Sequence, residues 1–169
     1  MRFVITGEWN QNRLLSLIIL WFLLYSIGLW VTNALLYFNQ MGLTYESVVT
    51  YYRGSQEQFF LPRSYKVLLE ISHFHLLAMG IFILTLAHLL LFVPFPPRVK
   101  FWLVTLSFAS ALSDEMAGWL TRFVHPLFAY YKIAAFLLLQ ATLGGMIVGV
   151  SAAVVRNARK AYTDDLPSS

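Results

Sequence analysis

From Arg63 to Pro94 the chain reads RSYKVLLEISHFHLLAMGIFILTLAHLLLFVP, an apolar run with no proline before its last residue. A helix needs about 20 mostly apolar residues to cross the hydrocarbon core of a bilayer, and this run exceeds that. Three further runs of the same kind lie at about 14–38, 101–120 and 127–155. Backbone in lipid must satisfy its own hydrogen bonds, which leaves helices as the spanning form for runs of this length. The connections VPFPPRVK and TRFVHP are short, and short connections make neighbouring helices antiparallel. The expected fold is therefore all-α integral membrane, a four-transmembrane-helix up-down-up-down bundle. Its spans are about 14–38, 64–92, 101–120 and 127–155, within a single membrane domain, 1–169.

Composition agrees. The chain is 59% hydrophobic and only 12% charged, against about 25% charge in a soluble domain. It has no cysteine, which excludes covalent c-type haem, iron–sulfur ligation and thiol chemistry. The net charge of +4 comes from Lys and Arg flanking the spans, so no nucleic-acid role is read from it. The first thirteen residues are polar and the apolar run behind them is too long for a cleaved leader. No phosphate loop, HExxH or Ser/His/Asp arrangement is present.

An outer loop, 39–63, joins the first two spans; its TYESVVTYY segment predicts one or two helical turns on the surface. A polar tail, 156–169, is expected to fray. Arg2, Arg13, Arg98, Lys100, Arg156, Arg159 and Lys160 fall on one side. Arg53, Arg63, Lys66, Arg122 and Lys132 fall on the other. This excess predicts both termini inside, in a bacterial inner (cytoplasmic) membrane. Trp9, Tyr51, Tyr52, Phe59, Phe60, Trp102, Trp119, Tyr130 and Tyr131 fall near span ends, as aromatic anchors do; Trp21 and Trp30 fall mid-span.

The second span also carries Glu70, His73, His75 and His88, three of the four histidines. Ionisable groups in hydrocarbon cost roughly 2.5–3.5 kcal/mol on insertion scales, so they need a partner or a task. At 100° per residue, Glu70, His73 and His88 share one stripe, with His73 and His88 roughly 22 Å apart along the axis and His75 nearly opposite. Two imidazoles at two depths suit a pair of stacked haems, and Gly80 between them would let a flat macrocycle approach. Ligands are short, however. The fourth histidine, His125, lies in the outer turn, so one bis-histidine site pairing it with His73 or His75 is the most the set supplies. Met79 and Met146 are further possible ligands.

A second constellation joins Asp114, Glu115 and Arg122 on the third span. With Glu70, His73, His75 and His125 it offers nitrogen and oxygen ligands for a divalent metal. It also offers proton acceptors for a quinol site, or an interfacial network neutralised by Arg122 and Lys66. The spacing of Glu70 and His73 also occurs in di-iron bundles, but those repeat it on a second helix, and this chain does not. On the last span Gly145, Gly149 and Ala153 form a small-residue stripe for helix packing, within the bundle or with another subunit; Ser107 and Ala111 share that spacing on the third span.

Through SHFHLLAMG…AHLLLF and the later WLTRFVHPLFAYY the chain resembles small four-span membrane proteins found with bacterial electron-transfer systems. More loosely it is similar to four-helix b-type cytochromes. That resemblance implies haem b held by histidines, with His73, His75, His88 and His125 the only positions that match. The expected function is an integral membrane electron-transfer subunit with a b-type haem or quinone site, working with other membrane or cytochrome subunits. The alternatives are a cofactor-free accessory or assembly subunit, and a metal- or proton-handling membrane protein.

Overall fold

The computed structural model describes residues 13–57 and 59–164, and the side chains of 14–57 and 59–156. Trp9, Arg2 and residues 165–169 lie outside the described residues. Five helices follow in order: α1 Arg13–Gln40, α2 Tyr45–Arg53, α3 Tyr65–Leu90, α4 Pro97–Phe123 and α5 Phe128–Asp164.

Local chemistry sets the ends. The Ser64 hydroxyl accepts from the amide of Val67 at 3.3 Å and starts α3, as an N-cap should. The PFPP cluster ends α3 but also begins α4: Pro96 is its N-cap and Pro97 its first residue. Proline suits that position because its missing N–H has no partner there anyway. Helix α4 therefore starts four residues earlier than the third span that the apolar pattern predicts. Helix α5 runs on through residues 156–164.

The four long helices alternate in direction. Ser107 meets Met146 and Asp114 meets Lys132, so positions rise on α4 as they fall on α5. Ser72 meets both Glu115 and Trp119 across α3 and α4, while Tyr37 stacks on Phe136 and Trp30 reaches Gln140 across α1 and α5. Helices α4 and α5 form the most extensive pair, α3 lies against both, and α1 packs on α5 while hardly touching α3.

Among the described residues, three helices are long and apolar enough to cross a membrane: Leu14–Gln40, Tyr65–Leu90 and Phe128–Arg156. The expected count was four. Helix α4 falls short because it carries Asp114 and Glu115 with Arg98, Lys100 and Arg122. Its acids turn inward: its buried face is Ser107, Ser110, Ala111, Asp114, Ala117, Gly118 and Thr121. The outer faces of α1 and α3 are large and apolar, with Leu17, Ile18, Leu24, Phe74, Leu77 and Leu84 exposed. Surface of this extent needs lipid or protein against it.

Two apolar clusters fill the interior. One holds Met79, Ile83, Leu86, Leu139, Leu143 and Met146. The other holds Tyr37, Val48, Tyr52, Leu68 and Phe136 and includes α2. Helix α2 thus buries Val48 and Tyr52 instead of lying free on the surface. Of the small-residue stripe, Gly149 lies under the Phe95 ring, where a Cβ would come within 2.7 Å. Ala153 is buried, while Gly145 is exposed near Leu103.

Candidate functional site

Along α3, Ser72 and His75 fall between Leu68 of one apolar cluster and Met79 of the other. Charged groups gather at this level. The turn after Phe123 folds α5 back on α4, and the packing of the two helices places Asp114 and Lys132 side by side. Lys132 Nζ stands 2.7 Å from Asp114 Oδ2 and donates to the Asp114 carbonyl at 3.1 Å. Both residues are 6% exposed. Neither charge would persist there alone, because losing water costs several kcal/mol per ion.

Glu115 lies beside this pair. Its Oε2 accepts from Ser72 Oγ at 2.7 Å, and Ser72 Oγ accepts from Trp119 Nε1 at 2.9 Å. Its Oε1 stands 3.8 Å from His75 Nε2, beyond hydrogen-bond length. His75 Nε2, Asp114 Oδ1 and the Tyr37 hydroxyl are all buried without a hydrogen-bond partner. Buried polar atoms are nearly always satisfied, so three orphans on one site are a chemical signal.

All three residues line a cavity of about 180 Å³. Leu36 of α1 and Ile71 of α3 line it and are also exposed on the outer surface. Helix α2 closes one end through Tyr52, whose ring packs on Gly118. Burial pushes the Tyr52 phenol up to about 12, with the Lys132 charge opposing and the Asp114 charge adding. Tyr51 donates to Gln40 Oε1 at 2.6 Å, and the Arg63 guanidinium sits 4.2 Å over the Tyr51 ring. These contacts pin α2 to α1 and to the start of α3.

Of the sequence-predicted residues, the fold brings together His75, Asp114 and Glu115. Each offers one ligand atom, all within 4.8 Å of one another. The others lie apart. Glu70 is exposed and pairs with Lys66 at 3.8 Å. His73 and His88 are exposed, His73 edge-on to Phe74 and His88 edge-on to Phe92 just past the end of α3. The stripe they share with Glu70 thus faces out of the bundle, because the apolar core claims the opposite face of α3. His125 is exposed in the turn, its Nδ1 accepting from the Leu127 amide at 3.2 Å. Arg122 Nε donates to the Arg63 carbonyl at 2.8 Å rather than to an acid. Met146 sulfur accepts from Ser107 at 3.2 Å inside the core, and Met79 is buried in the same core.

Two central residues escaped the sequence reading. Lys132 reads as a flanking charge near the start of the last span, and only the packing of α5 on α4 brings it to Asp114. Tyr37 carried no signal; only the packing of α1 on Phe136, with ring centroids 3.6 Å apart, brings its hydroxyl to the cavity.

No curated protein and no solved structure matches the chain. A family model described as a transmembrane helical domain, Aq_1264_TM, matches residues 42–161. The match takes in α2 to α4, most of α5, and every charged residue of the site, and the chain belongs to that family of transmembrane helical domains.

Proposed function

We propose that this chain is a four-span subunit of the bacterial cytoplasmic membrane that binds the head group of a quinol-class molecule as part of an electron-transfer complex. The observation that carries the reading is the cavity open between α1 and α3, walled by the unpartnered Tyr37 hydroxyl, His75 Nε2 and Asp114 Oδ1. A lipid-phase ring enters from the side, past Leu36 and Ile71. Its two oxygens find a phenol on one wall and an imidazole and carboxylate on the other. At about 180 Å³ the space is below the 300–1,000 Å³ of drug-sized sites, which favours one substituted ring over a larger head group. Aromatic walls from Tyr52 and Trp119 suit a flat ligand.

The alternating directions of the long helices support counting α4 as the fourth span, its acids shielded by α3 and α5. The excess of Lys and Arg favours termini on the cytoplasmic side. The reading assigns no haem to the bundle interior, since His73, His88 and His125 turn outward.

The test is uptake of a short-chain benzoquinol by the detergent-purified chain, read by quenching of Trp119 fluorescence. Saturable binding is expected. Tyr37→Phe removes one hydrogen bond, worth about 1 kcal/mol, and should weaken binding about fivefold. A preparation that extracts free of quinone and takes up none from micelles overturns the reading and leaves an accessory scaffold.

A further inference from the structure

We propose that His75, Asp114 and Glu115 form a binding site for one divalent first-row transition metal ion, with an open coordination position facing the cavity. This goes beyond the quinol reading and does not require it: the ion takes His75 Nε2 and Asp114 Oδ1, so a quinol bound through those two atoms belongs to the metal-free protein.

The three ligand atoms are already gathered within 4.8 Å of one another, the one such group among the described residues. Bonds of 2.0–2.2 Å to a metal bring ligand atoms about 3–3.5 Å apart. His75 Nε2 and Glu115 Oε1, at 3.8 Å, are nearly there. The remaining closure is small enough for side-chain torsions.

The surroundings hold these atoms in place. Each carboxylate has one oxygen engaged by a donor, which fixes the group and leaves its second oxygen for a ligand. Asp114 Oδ2 is held by Lys132, leaving Oδ1 bare. Glu115 Oε2 is held by Ser72, itself held by Trp119. Hydrogen-bonded supports of this kind orient metal ligands and change affinity by 10–100-fold when removed.

The unsatisfied atoms ask for a cation. Asp114 Oδ1 and His75 Nε2 lack any hydrogen bond, and Glu115 Oε1 stands 3.8 Å from the imidazole, whose Nε2 offers a lone pair in the Nδ1–H tautomer. A metal ion accepts from all three. Two carboxylates also face a single ammonium, so one negative charge is left without a counter-charge in a poorly solvated place. One nitrogen and two oxygens suit zinc, manganese or iron(II). Calcium takes six to eight oxygens and is disfavoured. The ion has two ways in: the cavity, and a cleft between α3 and α4 of about 360 Å³ where Leu76 and Met116 flank Glu115.

The experiment strips the full-length detergent-purified protein with a chelator, then titrates it with Zn(II) and separately with Mn(II). One equivalent of either ion is expected. His75→Gln and Glu115→Gln should each weaken binding more than tenfold, and Ser72→Ala about tenfold. The outward-facing pair changed together, His73→Gln with His88→Gln, should leave it intact. Pulsed electron paramagnetic resonance of the Mn(II)-loaded wild type should show coupling to one imidazole nitrogen, a readout that needs no variant to fold. No stoichiometric uptake by the wild type overturns the proposal. So does uptake that survives both cluster variants, uptake lost with the outward histidines, or a spectrum without nitrogen coupling. Quinol binding to the stripped protein reports on the earlier reading separately.

Discussion

At the scale of single residues, the Asp114–Lys132 pair dominates. Removing one partner leaves the other charge buried and alone, which costs about 3–5 kcal/mol. Lys132→Met should therefore lower the thermal midpoint in detergent sharply. Adding Asp114→Leu to it should recover much of the loss, because replacing a buried pair by apolar side chains is often neutral. A double variant no better than Lys132→Met would show that the acid is not what suffers. Tyr52 supplies a pH dependence. Burial pushes its phenol up to about 12 in the fold, against 10.0 for a free tyrosine. The folded state therefore holds its proton more tightly. Stability from this residue is complete below pH 10 and is lost as pH rises from about 10 through 12. Tyr52→Phe should flatten that part of the curve in denaturation followed against pH.

At the scale of elements, α2 decides whether the cavity has an end wall. Thr44 caps it, accepting from the Ser47 amide at 3.3 Å, and Thr44→Ala should cost about 1 kcal/mol. Gly118 is its seat: a Cβ there would stand 2.8 Å from the Tyr52 hydroxyl. Gly118→Ala should displace the ring and cost about 1–3 kcal/mol, with exchange protection lost first in α2. Loss spread evenly over α4 and α5 would count against the lid role. The long helices were legible as apolar runs, but their faces were not. Regular spacing put Glu70, His73 and His88 on one stripe and His75 opposite, yet spacing alone does not say which stripe the neighbours cover. Leu68, Met79, Ile83 and Leu86 carry α3's packing, and they share the side of His75.

At the scale of the whole molecule, the topology is directly testable because the chain has no cysteine. Single cysteines at Glu57, Pro94 and His125 can be probed with a membrane-impermeant thiol reagent. An alternating four-span bundle labels Glu57→Cys and His125→Cys from one side and Pro94→Cys from the other. Labelling of all three from the same side would mean that α3 and α4 do not each cross.

Long apolar runs separated by short polar ones were enough, by themselves, to dictate membrane helices, since a run of this length in lipid satisfies its own backbone hydrogen bonds as a helix. The family match to a transmembrane helical domain agrees with that. Which ionisable groups share a site was settled only by packing. Ser72, His75, Asp114, Glu115, Lys132 and Tyr37 come from four helices, and their meeting depends on rotations and turns that no local pattern encodes. Side-chain neighbours across helices are fixed by how cores interdigitate.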